Sequence, residues 1–156
     1  DLARKAAADT GRDPAGISFG AYVNVGCHPD LDAARDLISG AVAAFAHFSS
    51  MPGSTGAGLA EADRKVVAEV GRTYDSNQHL SNAGPQTAAL KPEFVDRFAV
   101  VGAPDVCAER LRGLADLGLE RFVITGASFR ADGGHRRTSE QLLTGELLPA
   151  LRGATV

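Results

Sequence analysis

The residues best suited to chemistry lie at the ends of two apolar segments and in the long polar stretch between them. From Ile17 to Cys27 the residue types alternate. Phe19, Ala21, Val23, Val25 and Cys27 fall on one side, and Ser18, Gly20, Tyr22, Asn24, Gly26 and then His28 on the other. A period of two is that of a strand, whose successive side chains point to opposite faces. Asn24 and His28 therefore share the small, polar face, toward the strand's C-terminal end. A carboxamide offers both donor and acceptor, and an imidazole changes protonation near neutral pH, so the two suit an organic ligand. A buried asparagine bonded to backbone and a turn histidine are the plainer readings of the same residues. Tyr22, one layer deeper, is expected to fill core.

Tyr74 to Leu90 has no clear period and carries Asn77, His79 and Asn82. Long irregular stretches inside compact domains are usually functional or mobile. Tyr74, Asn77, His79 and Asn82 are thus candidates for a substrate mouth, with a solvated loop as the alternative. Thr125 and Gly126 close the second apolar segment, Arg121 to Gly126. Small residues there let a ligand approach the backbone, or simply pack at a strand end. No catalytic base stands out.

Other chemistries are excluded by spacing. Gly53-Ser54-Thr55-Gly56-Ala57-Gly58 is followed by Leu59-Ala60, where a phosphate-binding loop needs Lys-Ser or Lys-Thr. As a dinucleotide fingerprint it lacks the third glycine at Glu61, and its composition is that of a flexible linker. Gly126-Ala127-Ser128-Phe129-Arg130 lacks the closing glycine of a nucleophile elbow. His28, His47, His79 and His135 show no metal-ligand spacing, and His47 reads as a boundary residue on a helix. Cys27 and Cys107 lie far apart, on a predicted strand and a predicted helix, so a disulfide framework is not expected. A net charge of -3 with scattered basic residues argues against a nucleic-acid partner. The longest apolar run, Ala41 to Phe48, is too short to span a bilayer, and no signal peptide opens the chain. A reducing, cytoplasmic setting is the expectation.

The elements that must position these residues follow from periodicity and punctuation. The chain has 156 residues, 44% of them hydrophobic and 22% charged, which suits one α/β domain. Helices are predicted at Asp1–Asp9 and from Asp30 to about Ser49, the latter burying Leu31, Ala34, Ile38, Ala41, Val42, Phe45 and Phe48. Further helices are predicted from Leu59 to about Gly71, over Pro92–Phe98 and Pro104–Leu117, and from Ser139 to about Leu151 with a break near Pro149. Ser128 to Arg137 reads as a polar tail, and Val100 to Asp105 as an apolar run into a helix start. Two strands separated by helices imply parallel pairing. Two strands make no stable sheet with both faces covered, so others are expected from elsewhere. A chain that opens inside a helix agrees with truncation.

Several segments together resemble one superfamily. They are Thr10-Gly11-Arg12-Asp13-Pro14, Ala21-Tyr22-Val23-Asn24-Val25, Asp30-Leu31-Asp32-Ala33-Ala34-Arg35, the run from Phe94 to Pro104, Gly118-Leu119 leading into Phe122-Val123, and Glu146 to Arg152. In order and spacing they are similar to the luciferase-like monooxygenases, in particular the F-420-dependent methylene-tetrahydromethanopterin reductase-like branch. The resemblance implies the C-terminal portion of a TIM-like (β/α)₈ barrel, with Ile17–Cys27 and Arg121–Gly126 as its seventh and eighth strands. Their helices and an insertion would lie between. It implies an oxidoreductase moving hydride between coenzyme F-420 and a small organic substrate, or, as the alternative, an FMN-dependent monooxygenase. A non-catalytic α/β binding module is the reading outside the family. On the family's pattern most ring contacts and the phosphate-binding glycines lie upstream. The expected partners are therefore the missing N-terminal half of the barrel and, at full length, a second copy, and this chain alone is expected to be inactive. Asn24, His28, Tyr74, Asn77, His79, Thr125 and Gly126 are the residues expected on the cofactor or substrate side.

Overall fold

A computed structural model describes residues 2–51 and 58–152. Asp1 of the first predicted helix and residues 53–57 of the predicted Gly/Ser linker lie outside the described residues. In chain order the elements are α1 (Leu2–Asp9), β1 (Gly20–Cys27), α2 (Leu31–Ser50), α3 (Glu61–Thr73), α4 (Pro92–Phe98), β2 (Val100–Gly102), α5 (Pro104–Asp116), β3 (Arg121–Thr125), α6 (Gly133–Leu142) and α7 (Leu148–Arg152).

The three strands form one parallel sheet in the order β2-β1-β3. Val25 stands opposite Val100 and Cys27 opposite Gly102 on one side of β1; Gly20 stands opposite Arg121 and Asn24 opposite Thr125 on the other. The two predicted strands are neighbours. Among the described residues the expected count of two is corrected to three, because Val100–Gly102 pairs with the far side of β1. Three residues are too short to display a period.

Each face of β1 packs as its residue types require. Val23, Val25 and Cys27 join Val100, Cys107, Ala108, Leu111 and Leu147 in one buried cluster, so α5 and the chain's last turns cover the apolar face. The opposite face is covered at its C-terminal end by α2. At Gly26 a Cβ would stand 2.1 Å from the Ala34 carbonyl oxygen, so α2 lies directly on the backbone of β1. A second close approach occurs at Gly40, where a Cβ would meet the Leu80 carbonyl oxygen at 2.5 Å. Only glycine lets α2 pass between the strand and the loop above it. Outside α2 lie α3 and α4, and Leu37, Ile38, Val42, Val67, Val70, Phe94 and Val95 fill the space between. Burying one Leu or Ile in such a layer stabilises by roughly 1.5–3 kcal/mol.

The ends of α2 follow from local chemistry. The Asp30 carboxylate accepts from the Asp32 and Ala33 amides at 2.9 and 3.1 Å, the N-cap expected from sequence. Those backbone donors, Ala33 first, hold the Asp30 carboxyl below its usual range. The predicted polar tail is corrected. Asp132 caps α6 by accepting from Gly134 and His135 at 2.8 and 2.9 Å, so this helix starts at Gly133, six residues before the predicted Ser139. Two glycines in its first turn disguised it. The break falls in a π-helical turn, Leu143–Leu147, rather than at Pro149, which sits in the first turn of α7. The cysteines, expected to be separate, are both fully buried in the cluster beneath β1. Among the described residues no helix is long and apolar enough to cross a membrane.

Candidate functional site

Beyond the C-terminal end of β3 the chain turns over α2 and encloses a cavity of about 350 Å³. Ser128 anchors this wall. Its amide donates to the Leu37 carbonyl at 2.6 Å, and its hydroxyl accepts from the Gly40 amide at 3.0 Å. The long loop forms the facing wall. It is more ordered than its sequence implied: short 3₁₀ turns run over Ser76–Gln78 and Pro85–Ala89, and Ser81 bridges in parallel to Phe129. Gln86, fully buried, holds the loop shut by accepting from the Asp75 amide at 3.3 Å and donating to the Gln78 carbonyl at 3.0 Å.

Phe45, Phe48, Leu80 and Phe129 supply the apolar lining, and His79, Thr125 and Gly126 lie among them. Phe45 and Phe48 were expected in the buried stripe of α2. They are 36% and 51% exposed, because the helix turns them into the cavity. Tyr22, expected to fill core, is 68% exposed and lines the same cavity. The Thr125 hydroxyl donates to Asn24 Oδ1 at 2.5 Å, so the buried Asn24 supports the cavity wall from beneath. That donation leaves the Thr125 lone pairs available to a ligand.

His79 is held by Tyr74, whose hydroxyl hydrogen-bonds His79 Nδ1. With a neutral imidazole the tyrosine donates, the proton sits on Nε2, and Nε2 is the nitrogen left to meet a ligand. The Tyr74 ring stacks on His47 with centroids 3.8 Å apart and planes 8° off parallel. Burial pushes the Tyr74 phenol pKa up, which keeps it protonated and a donor.

Four of the predicted site residues therefore meet at this cavity: Tyr74 through His79, then His79, Thr125 and Gly126 themselves. Asn24 sits one bond away. Asn77 does not join them; it is exposed, with its amide and side chain bonded to Asp75 Oδ1 at 2.9 and 3.1 Å. Asn82 faces elsewhere and donates to Asp36 at 3.0 Å. His28 forms a separate pair at the end of β1. Its Nδ1 accepts from the Asp30 amide at 3.0 Å, which places the proton of the neutral ring on Nε2, 3.2 Å from Nδ1 of His135. Sequence reading missed His135, which is distant in the chain and sits in the disguised helix α6. It also missed the pocket roles of Phe45 and Phe48 and the stacking of His47 on Tyr74. A helix apolar all round, as α2 is from Ala41 to Ala46, is the signal that it meets structure on more than one side.

A second cavity, of about 490 Å³, lies along β1 from Ala21 to Asn24, ahead of Val100 where β2 begins. Its rim cations are already engaged: Arg97 with Asp63, and Arg110 with the Asp96 carbonyl at 2.7 Å.

The luciferase-like monooxygenase model matches residues 1–121, and the chain belongs to that family. No curated protein matches it. The match covers α1 through α5 and ends as β3 begins, so the Thr125–Phe129 wall lies beyond it. Family membership points to a flavin-dependent oxidoreductase or monooxygenase and a flavin-type cofactor. The cavity fits the planar, apolar end of such a system, with aromatic walls and a few polar groups. It does not fit a phosphate tail, since no Lys or Arg lines it.

Proposed function

We propose that this chain forms the substrate side of an oxidoreductase that moves hydride between coenzyme F-420 and a small organic molecule. One observation carries the reading: His79, Thr125 and Gly126, far apart in sequence, line one apolar cavity at the C-terminal end of a parallel sheet. In parallel α/β barrels that end carries the chemistry. When bound, the deazaflavin supplies or accepts the hydride. The chain's own residues do the rest. Phe45, Phe48 and Phe129 exclude water and flank a planar ligand. His79, oriented by Tyr74, donates a hydrogen bond from Nε2. Thr125 accepts one. β1 and β3 would be adjacent staves of a larger (β/α)₈ barrel, and further staves, contributed by an N-terminal half, would pair with the outer edges of β2 and β3. A second copy at full length belongs to the same proposal.

An FMN-dependent monooxygenase is the second reading, favoured by the family's own description as monooxygenases. Titrating the full protein with F-420 and with FMN, followed by cofactor fluorescence, separates the two. Saturable quenching of F-420 alone is the expected result. Saturation by FMN alone transfers the assignment to the second reading, and no response to either removes both.

A further inference from the structure

We propose that Cys27 and Cys107 are an oxidisable pair that closes to a disulfide and clamps the end of β1 to α5. Both side chains are completely buried, and both belong to the cluster beneath the sheet. Cys27 ends β1 and stands opposite Gly102 in the register of β1 and β2. The Cys107 thiol, one turn into α5, donates to the carbonyl of that same Gly102 at 3.3 Å. The two side chains thus converge on one peptide. These are the only cysteines in the chain, so neither has a competing thiol here. Closing the pair to an S–S bond of about 2.05 Å requires the two side chains to turn toward each other.

The hydrogen bond that fixes the Cys107 proton on the Gly102 carbonyl assigns the roles. The Cys107 S–H is committed to the Gly102 carbonyl, and the Cys107 side chain nearby draws the Cys27 thiol below its usual range, against the opposing effects of burial and Glu146. The same proximity, with burial, pushes Cys107 up. Cys27 is the nucleophile. With a hydroperoxide as oxidant, the Cys27 sulfur attacks the peroxide, the O–O bond breaks, and water or an alcohol leaves, giving a sulfenic acid. The Cys107 sulfur then attacks that sulfur, the S–O bond breaks, a second water leaves, and the S–S bond forms. Two thiols lose two hydrogens and two electrons, and the hydroperoxide is reduced by two. Burial makes the step depend on local opening of the layer over the pair, where Leu111 and Leu147 seal it.

The test treats the full protein with hydrogen peroxide and maps its peptides without reduction. The expected result is a Cys27–Cys107 linked peptide that dithiothreitol separates, with a rise of about 10 °C in the unfolding midpoint from closing so long a loop. The rise should be absent in Cys107→Ala. If that variant does not fold, the peptide map of the unaltered protein decides alone. Thiols that stay free after treatment, that end as separate sulfinic or sulfonic acids, or that link only between molecules overturn the proposal.

Discussion

The two faces of β1 are built on opposite terms. Beneath it, Val23, Val25 and Cys27 are sealed against α5 and Leu147. Above it, α2 presses onto Gly26 with its N-terminal half, while in its C-terminal half Phe45 and Phe48 turn outward and leave a cavity. The first face is filled for stability. The second stops short of filling, and the unfilled part is where His79, Tyr74 and Thr125 gather. A mutation should therefore show its effect in folding on one face and in ligand handling on the other.

The largest effect belongs to the sealed face. Leu111→Ala should cost about 3 kcal/mol, read as a lower urea midpoint, because a fully buried leucine leaves a cavity that its neighbours cannot close. Gly26→Ala comes next, at about 2 kcal/mol, since its new Cβ collides with the Ala34 carbonyl. An unchanged thermal midpoint for Gly26→Ala would show that α2 does not rest on β1 and would erase the contrast. His79→Ala should leave the midpoint within about 0.5 kcal/mol of its original stability, yet lower cofactor-dependent turnover about tenfold through one lost hydrogen bond. Equal losses of folding and turnover would instead make the cavity an ordinary part of the core.

The smallest effect is one of pH. Arg35 binds Asp96 through two bonds of 2.9 and 2.8 Å and holds its carboxyl below the usual value of 3.8. A depressed carboxyl stabilises the fold fully above its unfolded pKa, and that contribution disappears as pH falls through the lower folded value. The pair is partly exposed and screened, so the loss below pH 4 should stay under about 1 kcal/mol. Asp96→Asn should flatten that part of the stability profile.

Much of the scaffold was legible because it repeats. The alternation from Phe19 to Cys27 and the stripe of α2 gave both elements and the inward side of Val23, Val25 and Cys27. The site was legible only in part, because its residues announce themselves by composition rather than by spacing. Tyr74, His79, Thr125 and Gly126 stood out as small or polar groups near strand ends and in an irregular stretch. His135 did not, since nothing local links it to His28 across the chain. The cysteine pair was hidden for the same reason: contact between a strand end and a helix turn follows from packing, which no period encodes. Val100–Gly102 was too brief to read as a strand, and α6 began with two glycines.

The chain contains no tryptophan, so Phe129→Trp in the full protein places a new fluorophore in the cavity wall. Leu2→Trp, at the far end of the sheet, serves as the reference. If the cavity is the functional mouth, saturating cofactor should quench the emission gained at position 129 more strongly than that gained at position 2. Equal quenching at the two positions, with cofactor demonstrably bound, would contradict it.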